Sequence, residues 1–165
     1  MPSEFIIAVH AMAYLRKHPR LISSEELAEN ICVNPVRVRK VMAKLKAYGL
    51  IDTKQGLSGG YSFSIQNETV TLSQIYDALQ MRIFHSNWRS GNAHLKCIVS
   101  SGMAQVMDDL YETMEATCYE KLKAISICDV VKELEQLYAL KENTNEIEKV
   151  AFGSWNYDEC SSSFG

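Results

Sequence analysis

Arg37, Lys40 and Lys44 recur three and four residues apart in "PVRVRKVMAKLKAYG", residues 35–49, so on a helix they form one cationic row. Such a row suits duplex nucleic acid, where the charges meet phosphates and the long side chains reach base edges in the major groove. Val38, Val41, Met42 and Leu45 carry the spacing of a buried stripe, which is expected to leave the basic face free. Asn34 offers an acceptor to the first-turn amides and Pro35 is preorganised at the first helical position, so the start of this helix is strongly marked. On composition alone, a solvated Lys-rich face is the competing reading.

A second group follows in "KQGLSGGYSFS", residues 54–64. Glycines there permit positive φ and let the backbone approach a phosphate or enter the minor groove. The candidate nucleic-acid contacts are therefore Ser24, Asn34, Pro35, Val36, Arg37, Arg39, Lys40 and Lys44 from the helices. Lys54, Gln55, Gly56, Ser58, Gly59, Gly60 and Tyr61 come from the turn. A third group is thiol chemistry. Cys32 lies just ahead of the basic helix and within reach of Arg37, where a helix N-terminus and a cation would stabilise the reactive thiolate. Cys118 and Cys128 fit apolar helix positions, and Cys160 lies in the tail without a charge partner.

The elements that must position these groups are legible from caps and periods. A helix from Ser3 to about Lys17 is expected to bury Phe5, Ile6, Val9, Met12 and Ala13, with His10 packed or partly exposed beside them. "SSEELAENI" starts a short helix capped by Ser23 or Ser24. After the basic helix, Gly49 is a stop, "LIDT" starts a strand, and "YSFSI" alternates as its return. Helix, helix, helix and hairpin is the order of a winged helix-turn-helix. "TVTLSQIYDAL" forms another capped helix. A loop from about Phe84 to Ser101 precedes a helix from Gly102 to about Ile125. Its Met103, Val106 or Met107, Leu110, Met114, Cys118 and Leu122 approximate a heptad stripe and invite a twin. Ser126 and Asp129 cap a last helix that presents Val130, Val131, Leu134, Leu137 and Tyr138. The expected fold is mainly α with a small β-hairpin wing: a DNA-binding domain over 1–82, a regulatory loop over 83–101, dimerisation helices over 102–141 and an acidic, loosely ordered tail over 142–165.

Charge divides the same way. Residues 1–60 hold nine Lys and Arg against five Asp and Glu, whereas the other 105 hold eight against fifteen. The N-terminus lacks a basic stretch ahead of an apolar one and no run is long enough to span a membrane, so a cytoplasmic protein is expected. Five cysteines without a C-x-x-C pair do not form a secreted disulfide framework.

"FIIAVHAMAYLRKHP", "SSEELAENICVNPVRVRKVMAKLKAYGLIDTKQGLSGGYSFS" and "TVTLSQIYDAL" together resemble the Rrf-two family of bacterial winged-helix transcriptional regulators, most distinctively in the G-x-x-G-G-Y wing at Gly56, Gly59, Gly60 and Tyr61. The resemblance implies a homodimer joined through the long helix, binding a dyad-symmetric DNA operator and acting as a repressor. It also implies that the loop carrying Cys97 lies near the partner's DNA-binding domain, which makes Cys97 the natural redox partner of Cys32. Two departures stand out. Gln55 occupies a wing position that is often arginine in the family, and the loop has only Cys97 where cluster-binding members carry three cysteines.

Cys97 with His94 and His85 supplies fewer than the roughly four ligands an iron–sulfur cluster needs, so neither a cluster nor a zinc site is expected and the cofactor assignment is none. Control by a small-molecule or protein effector, with Phe84 and Trp88 as contacts, is the alternative to cysteine oxidation. No Walker motif, dinucleotide glycine pattern, nucleophile elbow or H-E-x-x-H is present, so no enzyme is expected. A winged-helix protein-interaction module is the remaining class.

Overall fold

A computed structural model describes residues 3–56, 59–64, 69–84 and 86–151, with side chains described as far as Glu142. Three helices come first: α1 (Ser3–Lys17), α2 (Ser24–Ile31) and α3 (Pro35–Ala47). Ser23 caps α2 by accepting from the Glu26 amide, and Asn34 caps α3 by accepting from the Val36 amide, with Pro35 at the first helical position. The hairpin pairs β1 (Ile51–Lys54) with β2 (Gly60–Phe63) in antiparallel register, Ile51 opposite Phe63 and Lys54 opposite Gly60. Ile22 adds a third edge through two hydrogen bonds with Tyr61, of 2.9 and 2.8 Å.

α4 (Leu72–Leu79) starts in a reciprocal capping box between Thr71 and Gln74. α5 (Ile98–Lys123) begins earlier than the sequence reading, because the helix takes up residues 98–101 of the expected loop. α6 (Ile127–Ala151) opens on the Ser126 and Asp129 box, in which the Ser126 amide donates to Asp129 Oδ2 at 3.0 Å and the Asp129 amide to Ser126 Oγ at 3.1 Å. It continues ten residues past the expected end near 141. The described residues fall into two units, one ending at Val131 and the other beginning at Lys132. No described helix is long and apolar enough to cross a membrane.

The core of the first unit explains how α3 is held. Val38, Val41, Met42 and Leu45 are buried as expected, together with Met12 and Leu15 of α1, Leu27 of α2 and Ile75 of α4. Burying such side chains contributes about 1.5–3 kcal/mol each before ordering costs. α1 departs from its expected stripe. Ile6 is 57 % exposed, whereas Ile7, Ala8, Ala11 and Leu15 are buried, because α1 packs against α2, α3, α4 and β2 and buries a broader face than one stripe. α5 is covered only near its end, at Leu122.

Candidate nucleic-acid interface

α3 exposes Arg37, Ala47 and a stripe along its length made of Val36, Arg39, Lys40, Ala43 and Lys46. Behind it lies a cleft of about 400 Å³ between α3, the start of α2 and the wing. Of the candidate contacts, Ser24, Arg39, Lys54, Gln55, Gly56, Gly59, Gly60 and Tyr61 all line this cleft. Asn34, Pro35, Val36, Arg37, Lys40 and Lys44 do not; Ser58 lies outside the described residues. Ser23, Lys46 and Thr53 line it as well and were missed. The signal for Lys46 was available, since Arg39, Ala43 and Lys46 are spaced four and three apart just like the row chosen instead.

In that row Arg37 and Lys40 are exposed, but each of the three residues has a partner on the first turn of α1. Lys44 Nζ donates to Glu4 Oε2 at 2.6 Å, Lys40 pairs with Glu4 Oε1 at 3.2 Å, and Arg37 Nη2 donates to Ser3 Oγ at 2.6 Å. The hydrogen bond from Lys44, then that from Lys40, holds the Glu4 carboxyl below the ordinary glutamate value. One side of the basic helix is therefore fastened to the N-terminal turn of α1, because Glu4 reaches both lysines at once. Arg39 points the other way, donating to Ser24 Oγ at 3.1 Å and Glu25 Oε1 at 3.0 Å. These contacts hold its guanidinium at the cleft. The Glu25 carboxyl is lowered chiefly by its own backbone amide and by Ser24, with Arg39 contributing less.

The wing glycines have a reason inside the fold. A Cβ on Gly60 would stand 2.6 Å from the Ile22 carbonyl oxygen, which is the oxygen that receives the Tyr61 amide. Gly60 is therefore required by the third edge of the hairpin, whatever approaches from outside. Gly56, with φ +111°, has open space around its Cα and needs glycine for its conformation alone. Tyr61 is half-buried under the wing, and burial pushes its phenol up.

Cys32 is exposed and takes a left-handed conformation, φ 57°, as it ends α2. Its thiol donates to the Glu29 carbonyl, with Sγ 3.6 Å from the oxygen. Arg37 is turned to Ser3, and Asn34 occupies the α3 amide nearest the cap, so the thiolate support expected of both is directed elsewhere. Cys97 is exposed at the start of α5 and its thiol caps nothing. Cys118 and Cys128 are half-buried, and Cys160 lies outside the described residues. His10 is exposed and hydrogen-bonds Asn30 at 2.9 Å.

An exposed helix stripe beside a hairpin wing is the arrangement of winged-helix proteins, and comparison with known sequences places it. Residues 1–133 match the Rrf2 family, described as "Iron-dependent Transcriptional regulator". The chain belongs to the Rrf2 family. YwnA of Bacillus subtilis, named among HTH-type transcriptional regulators, is 25% identical over 134 residues, covering 80% of this chain and 97% of its own. The fold is shared with a transcriptional regulator from Lactobacillus plantarum at TM-score 0.72 and 20% identity, covering 90% of this chain and 100% of that one. It is also shared with T. potens IscR at TM-score 0.61 and 19% identity, covering 83% and 89%. Rrf2 proteins are transcriptional regulators rather than enzymes.

Among the described residues, the iron in the Rrf2 family's description finds no matching donor set. Cys97 is the one cysteine between residues 83 and 101. Among the described residues no three His, Cys, Asp or Glu side chains come together as metal ligands; His94 is exposed and His85 lies outside those residues. These donors do not fit an iron–sulfur cluster, which draws on about four thiolates or equivalents.

Proposed function

We propose that this Rrf2 member is a homodimeric, sequence-specific DNA-binding repressor that reads an operator with dyad symmetry. The observation that carries this reading is the cleft joining Arg39 and Lys46 of α3 to Lys54 of the wing. The α3 stripe enters the major groove, Arg39 reaches base edges, and Lys46 and Lys54 meet phosphates on either side of the wing. Gln55 and Gly56 lie at the turn that approaches the adjacent groove. The exposed apolar stripe of α5 supports the dimer: Val99, Met103, Val106, Leu110 and Met114 are all between 37% and 61% exposed. Two copies joined there would set half-sites about 10 base pairs, or a multiple, apart.

The test is fluorescence anisotropy against DNA from upstream of the protein's own gene. Binding should weaken steeply with salt, and Lys46→Ala should lower the salt slope by about 1 with a loss of about threefold. A salt-independent interaction would instead favour a protein-interaction module.

Oxidative control through Cys32 and Cys97 is the second part of the proposal, supported by the exposure of both thiols. Two thiols pass two electrons and two protons to one peroxide, leaving a disulfide and two waters, and a dithiol reverses it. Peroxide should release the DNA from the natural protein but not from Cys97→Ser; equal release from both removes Cys97 from the mechanism.

A further inference from the structure

Another cleft, of about 790 Å³, lies far along the sequence from the wing, between the end of α4, Met81, Arg82, Phe84, Ser86 and Arg89, and one face of α5. We infer that this cleft binds a small organic ammonium ion with an apolar body, held by Glu112 and the Tyr76 hydroxyl. The site deepens the effector alternative, and its regulatory consequence rests on the DNA-binding reading; the binding itself does not.

Three observations carry the inference. Tyr76 lines the cleft and is only 8 % exposed, yet its hydroxyl is buried with no hydrogen-bond partner among the described residues. A buried polar group left unpaired is costly, and few occur in folded proteins. The second observation is charge. Four carboxylates and two guanidiniums line the cleft, a net of −2. Asp108 is paired with Arg89, Asp109 accepts from Gln105 at 2.8 Å, and Glu115 accepts the Ile83 and Phe84 amides at 2.8–3.2 Å, fastening the loop that forms the rim. Among the described residues, Glu112 alone of the four has no partner. An ammonium group supplies the missing donors to both the Glu112 carboxylate and the Tyr76 oxygen. The third is a pair of rings in a mainly polar lining, Phe84 and Tyr111, which suit a small apolar body and favour a cation near their faces.

The cleft also stays open in the proposed dimer. Asp108 and Glu112 follow Val106 and Leu110 of the apolar stripe by two residues, which on a helix is about 200° round the axis. A partner covering the stripe therefore leaves this face uncovered. A ligand spanning Tyr76 of α4 and Glu112 of α5 would tie the winged-helix part to the dimer helix, beside the existing Tyr119 to Asp77 hydrogen bond of 2.7 Å.

Isothermal titration of the purified full chain with 2-phenylethylamine tests the site, with 2-phenylethanol and phenylacetate as neutral and anionic probes of the same body. The amine should bind at least about tenfold tighter than either. Glu112→Gln should weaken it about tenfold, and Tyr76→Phe about threefold. Tyr76→Phe should keep or raise its melting temperature without ligand, since it removes an unpaired hydroxyl; a purely structural role would lower it. Equal binding of the three probes, no heat with amine up to about 10 mM, or undiminished affinity in Glu112→Gln would overturn the site. Operator anisotropy with and without amine is read separately. A shift in the natural protein that Glu112→Gln lacks supports control of DNA binding, and amine binding without a shift overturns that control. If no operator is bound at all, the regulator reading falls while the titration still decides the site.

Discussion

α3 and α5 carry apolar residues at the same three-and-four spacing, yet one stripe is buried and the other is not. Val38, Val41, Met42 and Leu45 are at most 1% exposed, whereas Val106 and Leu110 are 61% and 48% exposed. The difference lies in the neighbours. α3 packs against α1, α2, α4 and β1, while α5 meets the core of its own unit only toward its end. A helix stripe thus marks a surface that needs a partner: α3 finds one in the internal core, and the α5 stripe is left exposed, which is what the proposed dimer would cover.

Leu110→Arg breaks the comparison most directly. It should leave the monomer folded and convert the dimer to monomer by light scattering, with operator affinity falling at least about 100-fold as the second half-site is lost. A folded, dimeric Leu110→Arg protein would show that the α5 stripe faces something else. Leu45→Ala sharpens the contrast from the other side, with an expected loss of about 2–5 kcal/mol in urea unfolding. Leu110→Ala, measured on the monomer, should change stability by less than about 0.5 kcal/mol.

Within α3 the comparison can be refined between its two sides. Arg39→Ala should weaken operator binding about tenfold or more and relax sequence preference, because its guanidinium is held at the cleft by Ser24 and Glu25. The smallest effect is expected at Glu4→Gln, which frees Lys40 and Lys44 and should raise DNA affinity by no more than about threefold. Its pH signature has a definite sign. Glu4 is lowered from 4.5 in the folded chain, so its contribution to stability is present above that value and is lost as pH falls below it. An acid titration of Glu4→Gln should lack that part of the loss.

Much of the interface could be read directly from local chemistry. Ser23, Asn34 and Pro35, Thr71 with Gln74, and Ser126 with Asp129 mark helix starts because the free amides of a first turn need acceptors close in the chain. The basic row was legible as a row, with Arg37 and Lys40 exposed as expected, but the ion pairs to Lys40 and Lys44 were not, since Glu4 lies 36 and 40 residues away from the lysines it holds. Gly60 was assigned to DNA approach because nothing nearby in the chain reveals the Ile22 carbonyl pressed against it. Of the second cleft only Phe84 was singled out in the sequence, and Tyr76 and Glu112 were not, because they lie 36 positions apart.

The sequence by itself determined the order of helices and hairpin, the capped starts and the two apolar stripes, because caps and periods act within a few residues. Only the tertiary structure decided which side of α3 faces outward, which glycine is needed for packing, and which buried hydroxyl is left without a partner. Those depend on contacts between residues distant in the chain, where periodicity tells which side chains share a face but not what is set against it.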